Sequence, residues 1–231
     1  MNKVLLFGVL LFCPILAAQS KKNRSDLNRF LLGILGDYEG KMSPYDHPKI
    51  QEPLTYIFCG EEPYQKIILD SLGKIGQVKF ELEVEKGAIY SKELSSFFNE
   101  FYTRELIPDY GFYDTIENKD YAYYFLILKQ QKFKKAYQKV SFLAGTFYRY
   151  GTINADNEIT LTFVRANSHI VACENFIRKL GFKVVNIFHP DYYSISGAHQ
   201  ITFVPSKKYL PLFRHIDSTR PDKGKCTYPY Q

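Results

Sequence analysis

One stretch of the chain is crowded with side chains that can do chemistry: His189-Pro190-Asp191-Tyr192-Tyr193-Ser194-Ile195-Ser196-Gly197-Ala198-His199. Hydrolysis by nucleophilic attack needs a hydroxyl or thiol, a base that takes its proton and a group that orients the base. Ser194 and Ser196 offer the hydroxyl, His189 and His199 the imidazole, and Asp191 the carboxylate, the residue types of a serine–histidine–carboxylate hydrolase. These five are the candidate catalytic residues. Neither serine sits in a G-x-S-x-G elbow, and Asp, Tyr, Ser, Gly and Pro are also the residues an ordinary turn requires. The two histidines with Asp191 between them are metal-ligand types too, yet nothing matches H-E-x-x-H or paired C-x-x-C, so neither metal nor cofactor is expected. Glu61-Glu62 suggests an acid–base couple, but adjacent helical residues do not face each other. Carboxylates in a first turn are explained by the helix dipole. His47, His169 and His215 stand alone and read as surface or capping residues.

The loop must be held by what flanks it: Lys183–Phe188 on one side and His199–Val204 on the other, both patterned as strands. The best-patterned unit lies just upstream, in Glu158–Val185. Ile159, Leu161 and Phe163 alternate with Thr160 and Thr162, which predicts a half-buried strand. Asn167 or Ser168 can cap a helix whose apolar residues Cys173, Phe176, Ile177 and Leu180 recur at helical spacing. Gly181 is placed to close it in the left-handed conformation, with Phe182 beyond.

Asn167–Phe182, NSHIVACENFIRKLGF, resembles the closing helix of acetyl-CoA-dependent N-acetyltransferases over sixteen residues. The family's upstream R/Q-x-x-G-x-G/A loop, which cradles the cofactor pyrophosphate, does not occur between Tyr121 and Glu158, and no site is carried over from the resemblance.

The same grammar occurs earlier, in Leu54–Val84: a strand LTYIFC, an acidic proline-bearing helix start at Glu61–Pro63, and Tyr64, Ile67, Ile68, Leu72 and Ile75 on one helical face. Leu72-Gly73 matches Leu180-Gly181, and Val78, Phe80, Leu82 and Val84 alternate with charged residues as a strand. A helix precedes each unit, Leu27, Leu31, Ile34 and Tyr38 in one and Phe133, Tyr137, Val140, Ala144 and Phe147 in the other. The expected fold class is therefore α+β, a mixed sheet with packed helices, in two diverged helix–strand–helix–strand halves.

Between the units, Ser91–Leu106 reads as a helix on the spacing of Leu94, Phe97, Phe98 and Phe101, and Ile107–Lys119 as a connector. Tyr121–Leu128 fits either a buried strand or a helix start. Lys41–Pro53 is a proline-bearing loop. The expected divisions are a leader at 1–20, an N-terminal half at 21–110, a C-terminal half at 120–216 and a tail at 217–231, loose or packed on the surface.

The first twenty residues, with Lys3, an apolar run and then Ala17, Ala18 and Ser20, have the layout of a secretory signal and predict an exported chain, periplasmic or secreted. About 210 residues remain, enough for one large domain or two small ones. A hydrophobic fraction of 45% supports a core, while a net charge of +6 without a basic run excludes a nucleic-acid footprint. Lys132, Lys134, Lys135 and Lys139 crowd one helix and offer a weak contact with an anionic surface. Cys59, Cys173 and Cys226 are an odd set for an oxidising compartment, so at most one internal disulfide forms. The expected function is non-catalytic binding of an unidentified ligand or envelope partner. The alternative is a secreted hydrolase using the 189–199 loop.

Overall fold

In a computed structural model the described residues are 26–35, 43–44, 53–58, 60–75, 81–85, 87–163, 167–189 and 198–222. The leader, Tyr38, His47, Cys59, Val78, Phe80, Cys226 and most of the 41–53 loop lie outside them. The fold is α+β. In chain order the elements are α1 (Leu27–Leu35), β1 (Ser43–Pro44), β2 (Thr55–Tyr56), α2 (Glu62–Leu72), β3 (Glu83–Glu85), β4 (Ala88–Tyr90), α3 (Lys92–Asn99), β5 (Tyr102–Asp114), β6 (Lys119–Leu128), α4 (Ala136–Tyr150), β7 (Gly151–Ile153), β8 (Ile159–Phe163), α5 (Asn167–Lys179), β9 (Lys183–Phe188), β10 (His199–Val204) and α6 (Leu210–Thr219). They form three antiparallel sheets, ordered β1-β6-β5, β2-β4-β3 and β7-β8-β10-β9. No helix among the described residues is long and apolar enough to cross a membrane.

The strand–helix–strand unit forms as its periodicity dictates. Ile159, Leu161 and Phe163 face the core, joined on the same side by Ile201 and Phe203 of β10. Thr160 and Thr202 face away and share a hydrogen bond of 2.9 Å between their hydroxyls. Gly181 takes φ +68°, and the amides of Gly181 and Phe182 donate to the carbonyls of Arg178 and Ile177, at 3.0 and 3.1 Å, which closes α5. Phe182 then stacks on Phe203 at 5.8 Å. Ser168 does not cap α5; its hydroxyl accepts the Leu128 amide at 3.0 Å and joins the helix to the end of β6. Gly73 departs from the Gly181 pattern: it is right-handed, with φ −59°.

One apolar cluster runs from Leu31 on α1 to Ile216 on α6, and α4 lies at its centre, buried at every position from Val140 to Arg149. The crossing of α1 and α4 is set by two glycines. A Cβ built on Gly33 would lie 2.2 Å from the Phe142 carbonyl oxygen, and one on Gly145 would lie 1.9 Å from that of Phe30. Each backbone fills the space a side chain would take on the other, in the reciprocal runs Phe30-Leu31-Leu32-Gly33 and Phe142-Leu143-Ala144-Gly145.

Arg149 is buried at the end of α4. Its Nε and Nη2 donate to the two carboxylate oxygens of Glu61, at 3.2 and 2.6 Å. Nη1 donates to the Ile34 carbonyl at 3.0 Å and to Thr55 Oγ1 at 2.7 Å, and Nη2 also donates to the Tyr56 carbonyl. All five guanidinium protons are used, which is what a buried charge requires. Glu61 is therefore more than an acid in a first turn: it is the counter-ion of the core.

Several sequence expectations are corrected. The helix after Ser91 stops at Asn99, with the Ser91 hydroxyl accepting the Leu94 amide at 3.3 Å. Residues from Tyr102 onward are strand. Ile107–Lys119 is not a connector, because β5 runs to Asp114 and turns into β6, a hairpin whose register shifts between Leu106 and Gly111. Tyr121–Leu128 is strand, paired with β5, and Ser43–Pro44 of the expected loop pairs with its other edge at Tyr123 and Tyr124. The helix α6, which buries Phe213 and Ile216, takes in Asp217–Thr219, the start of the expected tail. Cys173 is a fully buried thiol, its Sγ 4.0 Å from Thr146 Oγ1.

Candidate functional site

The pairing of β9 with β10 decides where the two candidate histidines stand. Gln200 is opposite Phe188, so the next step of an antiparallel ladder sets His199 opposite His189. Alternation puts His199 on the face of Ile201 and Phe203, the face covered by α5. The rings meet edge to face, centroids 5.2 Å apart, with Nδ1 of one 2.9 Å from Nδ1 of the other. At that distance one nitrogen donates and the other accepts.

The helix α5 supplies a third group. Glu174 Oε2 lies 4.0 Å from His189 Nε2, while its Oε1 accepts from Arg178 Nε and Nη2 at 3.1 and 2.9 Å. The result is a line of carboxylate, imidazole and imidazole. Burial, and then the neighbouring His189, hold the His199 pKa below the ordinary histidine value, which favours its neutral form. His189 is about half exposed, with a side-chain accessibility of 47%, so the line meets solvent at its middle ring. Such an arrangement can pass a proton along the two rings, or offer two nitrogen lone pairs to an electrophile or a cation.

Of the five candidate residues, the fold brings His189 and His199 together. Asp191, Ser194 and Ser196 lie outside the described residues. Glu174 was not among the sequence candidates. Its signal was available: it is an acid one position after Cys173 on a helix that must pack over the end of β9 and β10. His169 is not at the surface but fully buried on the Phe142 ring, its Nε2 3.0 Å from the Leu32 carbonyl oxygen. His215 is exposed on α6.

The four lysines do not share one helix. Phe133 turns into the core from a short 3-10 turn at Gln130–Lys132, so α4 starts at Ala136 and carries Lys139 alone of the four. Lys134 and Lys135 are exposed between them, and Lys132 reaches Glu100 at 3.8 Å. Burial and the charge of Lys179 lower the Lys139 pKa.

No protein-family model matches the chain, and no curated protein matches it.

Proposed function

We propose that the chain is an exported binding protein that engages an envelope or extracellular partner through the outer part of the β5–β6 hairpin. The observation that carries this reading is the apolar surface the hairpin holds in water. Ile116 at its tip is 81% exposed, Leu106 55%, Tyr113 53% and Phe125 36%. Leu106 is opposite Tyr124, and Phe125 opposite Glu105, so these side chains leave the ribbon on both faces as well as at its end. Apolar side chains gathered on a projecting ribbon fit partner contact better than core formation. The leader layout of residues 1–20 supports export.

The test is fractionation of the natural host. The full-length gene product is expected to lose its leader near Ser20 and to sediment with envelope material. Ile116→Asp with Tyr113→Ser is expected to leave stability within about 0.5 kcal/mol, as for other exposed sites, and to release the protein in soluble form. An intact leader on cytosolic protein, or the same distribution for both forms, would defeat the proposal.

A second reading, a secreted hydrolase, is favoured by the Glu174–His189–His199 line, in which a carboxylate lies 4.0 Å from one imidazole and that imidazole is hydrogen-bonded to a second. Esterase, peptidase and glycosidase activity abolished by His189→Ala or His199→Ala would establish it over simple binding.

We also infer that the halves descend from one duplicated unit. What supports this is the matching order of β2-β4-β3 with α2 and β8-β10-β9 with α5, together with the reciprocal crossing of α1 and α4 at Gly33 and Gly145.

A further inference from the structure

We propose that His189 and His199 bind a divalent transition ion, zinc as the reference case, through their two Nδ1 atoms, with Glu174 holding the His189 ring in place. The argument begins with the ladder. A directly opposed cross-strand pair has its Cβ atoms about 5 Å apart, which lets two imidazoles converge on one point. Here they do, with Nδ1 atoms 2.9 Å apart. Two nitrogens each about 2.05 Å from a tetrahedral zinc are about 3.3 Å from each other, so a small opening of the pair admits the ion.

The other face of the His189 ring carries the supporting contact. A histidine that binds metal through one nitrogen generally gives the N–H of the other to a carboxylate, which fixes the tautomer and raises the basicity of the ligand atom. Glu174 Oε2 stands 4.0 Å from His189 Nε2, and the Arg178 guanidinium anchors its other oxygen. The carboxylate is on the Nε2 side, away from the convergent lone pairs, as that role requires.

The class of ion follows from the donors. Imidazole pairs favour zinc, nickel and copper(II) over calcium and magnesium, which prefer oxygen. Among the described residues no third His, Cys, Asp or Glu joins the pair around one point. Motif spacing did not reveal the pair because H-E-x-x-H and C-x-x-C encode helices and tight knuckles. A cross-strand pair is encoded by register, and the intervening length is free.

The inference is independent of the binding reading; it shares His189 and His199 with the hydrolase reading, from which metal binding without turnover separates it. Its test uses the full mature chain without appended histidines. Zinc chloride titrated by calorimetry is expected to bind one ion per chain, with magnesium and calcium giving no saturable heat. His189→Ala and His199→Ala should each weaken zinc by more than about tenfold. Glu174→Gln should weaken it by about tenfold while keeping the stoichiometry, the usual size of an outer-shell loss. His215→Ala, on the exposed side of α6, should change nothing. In the unmodified protein, zinc should shift the ring resonances of His189 and His199 and leave Nε2 of His189 protonated. Absence of saturable zinc binding, zinc binding undiminished in the His189→Ala/His199→Ala double variant, or ring resonances that do not move, would each overturn the proposal. The resonance measurement needs no variant to fold.

Discussion

Replacing Arg149 by methionine is expected to lower the free energy of unfolding by about 3–5 kcal/mol, measured by chemical denaturation, because it leaves one half of a buried ion pair uncompensated. Arg149 is 1% exposed and Glu61 7%, so neither charge can turn to water for relief. Against a total stability of about 5–15 kcal/mol for a typical domain, such a loss is a large share of the whole. Glu61→Leu alone should cost a comparable amount, leaving the guanidinium with two carbonyls and a hydroxyl but no counter-charge. The two changes together should cost clearly less than their sum, since an apolar pair removes both charges. They should not restore the parent stability, because the Ile34 and Tyr56 carbonyls would lose the arginine and keep the more distant hydroxyls of Tyr150 and Thr55, each at 3.5 Å. Simple additivity of the single losses would show that the pair is not coupled.

The second large effect is expected at the helix crossing. Alanine favours a helix interior over glycine by about 1 kcal/mol, so propensity alone predicts that Gly145→Ala stabilises the protein. The structure predicts the opposite sign. The new methyl would sit 1.9 Å from the Phe30 carbonyl oxygen and 3.2 Å from the Ile34 amide nitrogen, and both are backbone atoms that no side-chain rotation can move. The helices must separate, which exposes or loosens the packing around Leu31, Ile34, Phe142 and Phe147. A loss of about 3 kcal/mol or more is expected, at the upper end for over-packing. Gly33→Ala should behave alike, with its methyl 2.2 Å from the Phe142 carbonyl oxygen. A gain in melting temperature for either variant would show that the close crossing is not formed.

What could be read in the sequence was what local pattern encodes. The strand at Ile159–Phe163, the helix to Lys179 and its left-handed stop at Gly181 are written in consecutive residues, and they formed as written. The helix periodicity of Ser91–Leu106 misled for a physical reason. Phe101 falls on the helical period and is indeed buried, but it is buried after the helix has ended, where the chain starts the long hairpin. Pro108 and Gly111 hid β5, since they sit at the register shift that a strand pattern does not anticipate. Tyr121–Leu128 could not be assigned alone because its partner strand was the one concealed.

The candidate site was half legible. His189 and His199 drew attention by their chemistry, while their direct opposition depends on strand register and the contribution of Glu174 on how α5 crosses the sheet. Arg149 left no mark in the sequence at all. An arginine in the last turn of a helix normally favours the dipole and reaches water, and only the convergence of distant backbone carbonyls shows that it is the centre of the interior.

The partners of that arginine lie 88 to 115 residues upstream of it. A polypeptide made from its amino end therefore presents Ile34, Thr55, Tyr56 and Glu61 long before the cation that satisfies them exists. The early segment cannot close its own polar interior while synthesis proceeds, and maturation of the first helix waits on the fourth. A nascent chain halted ahead of residue 136 is accordingly expected to be a substrate for chaperones and proteases rather than a folded module, and closure of the interior waits on the emergence of α4.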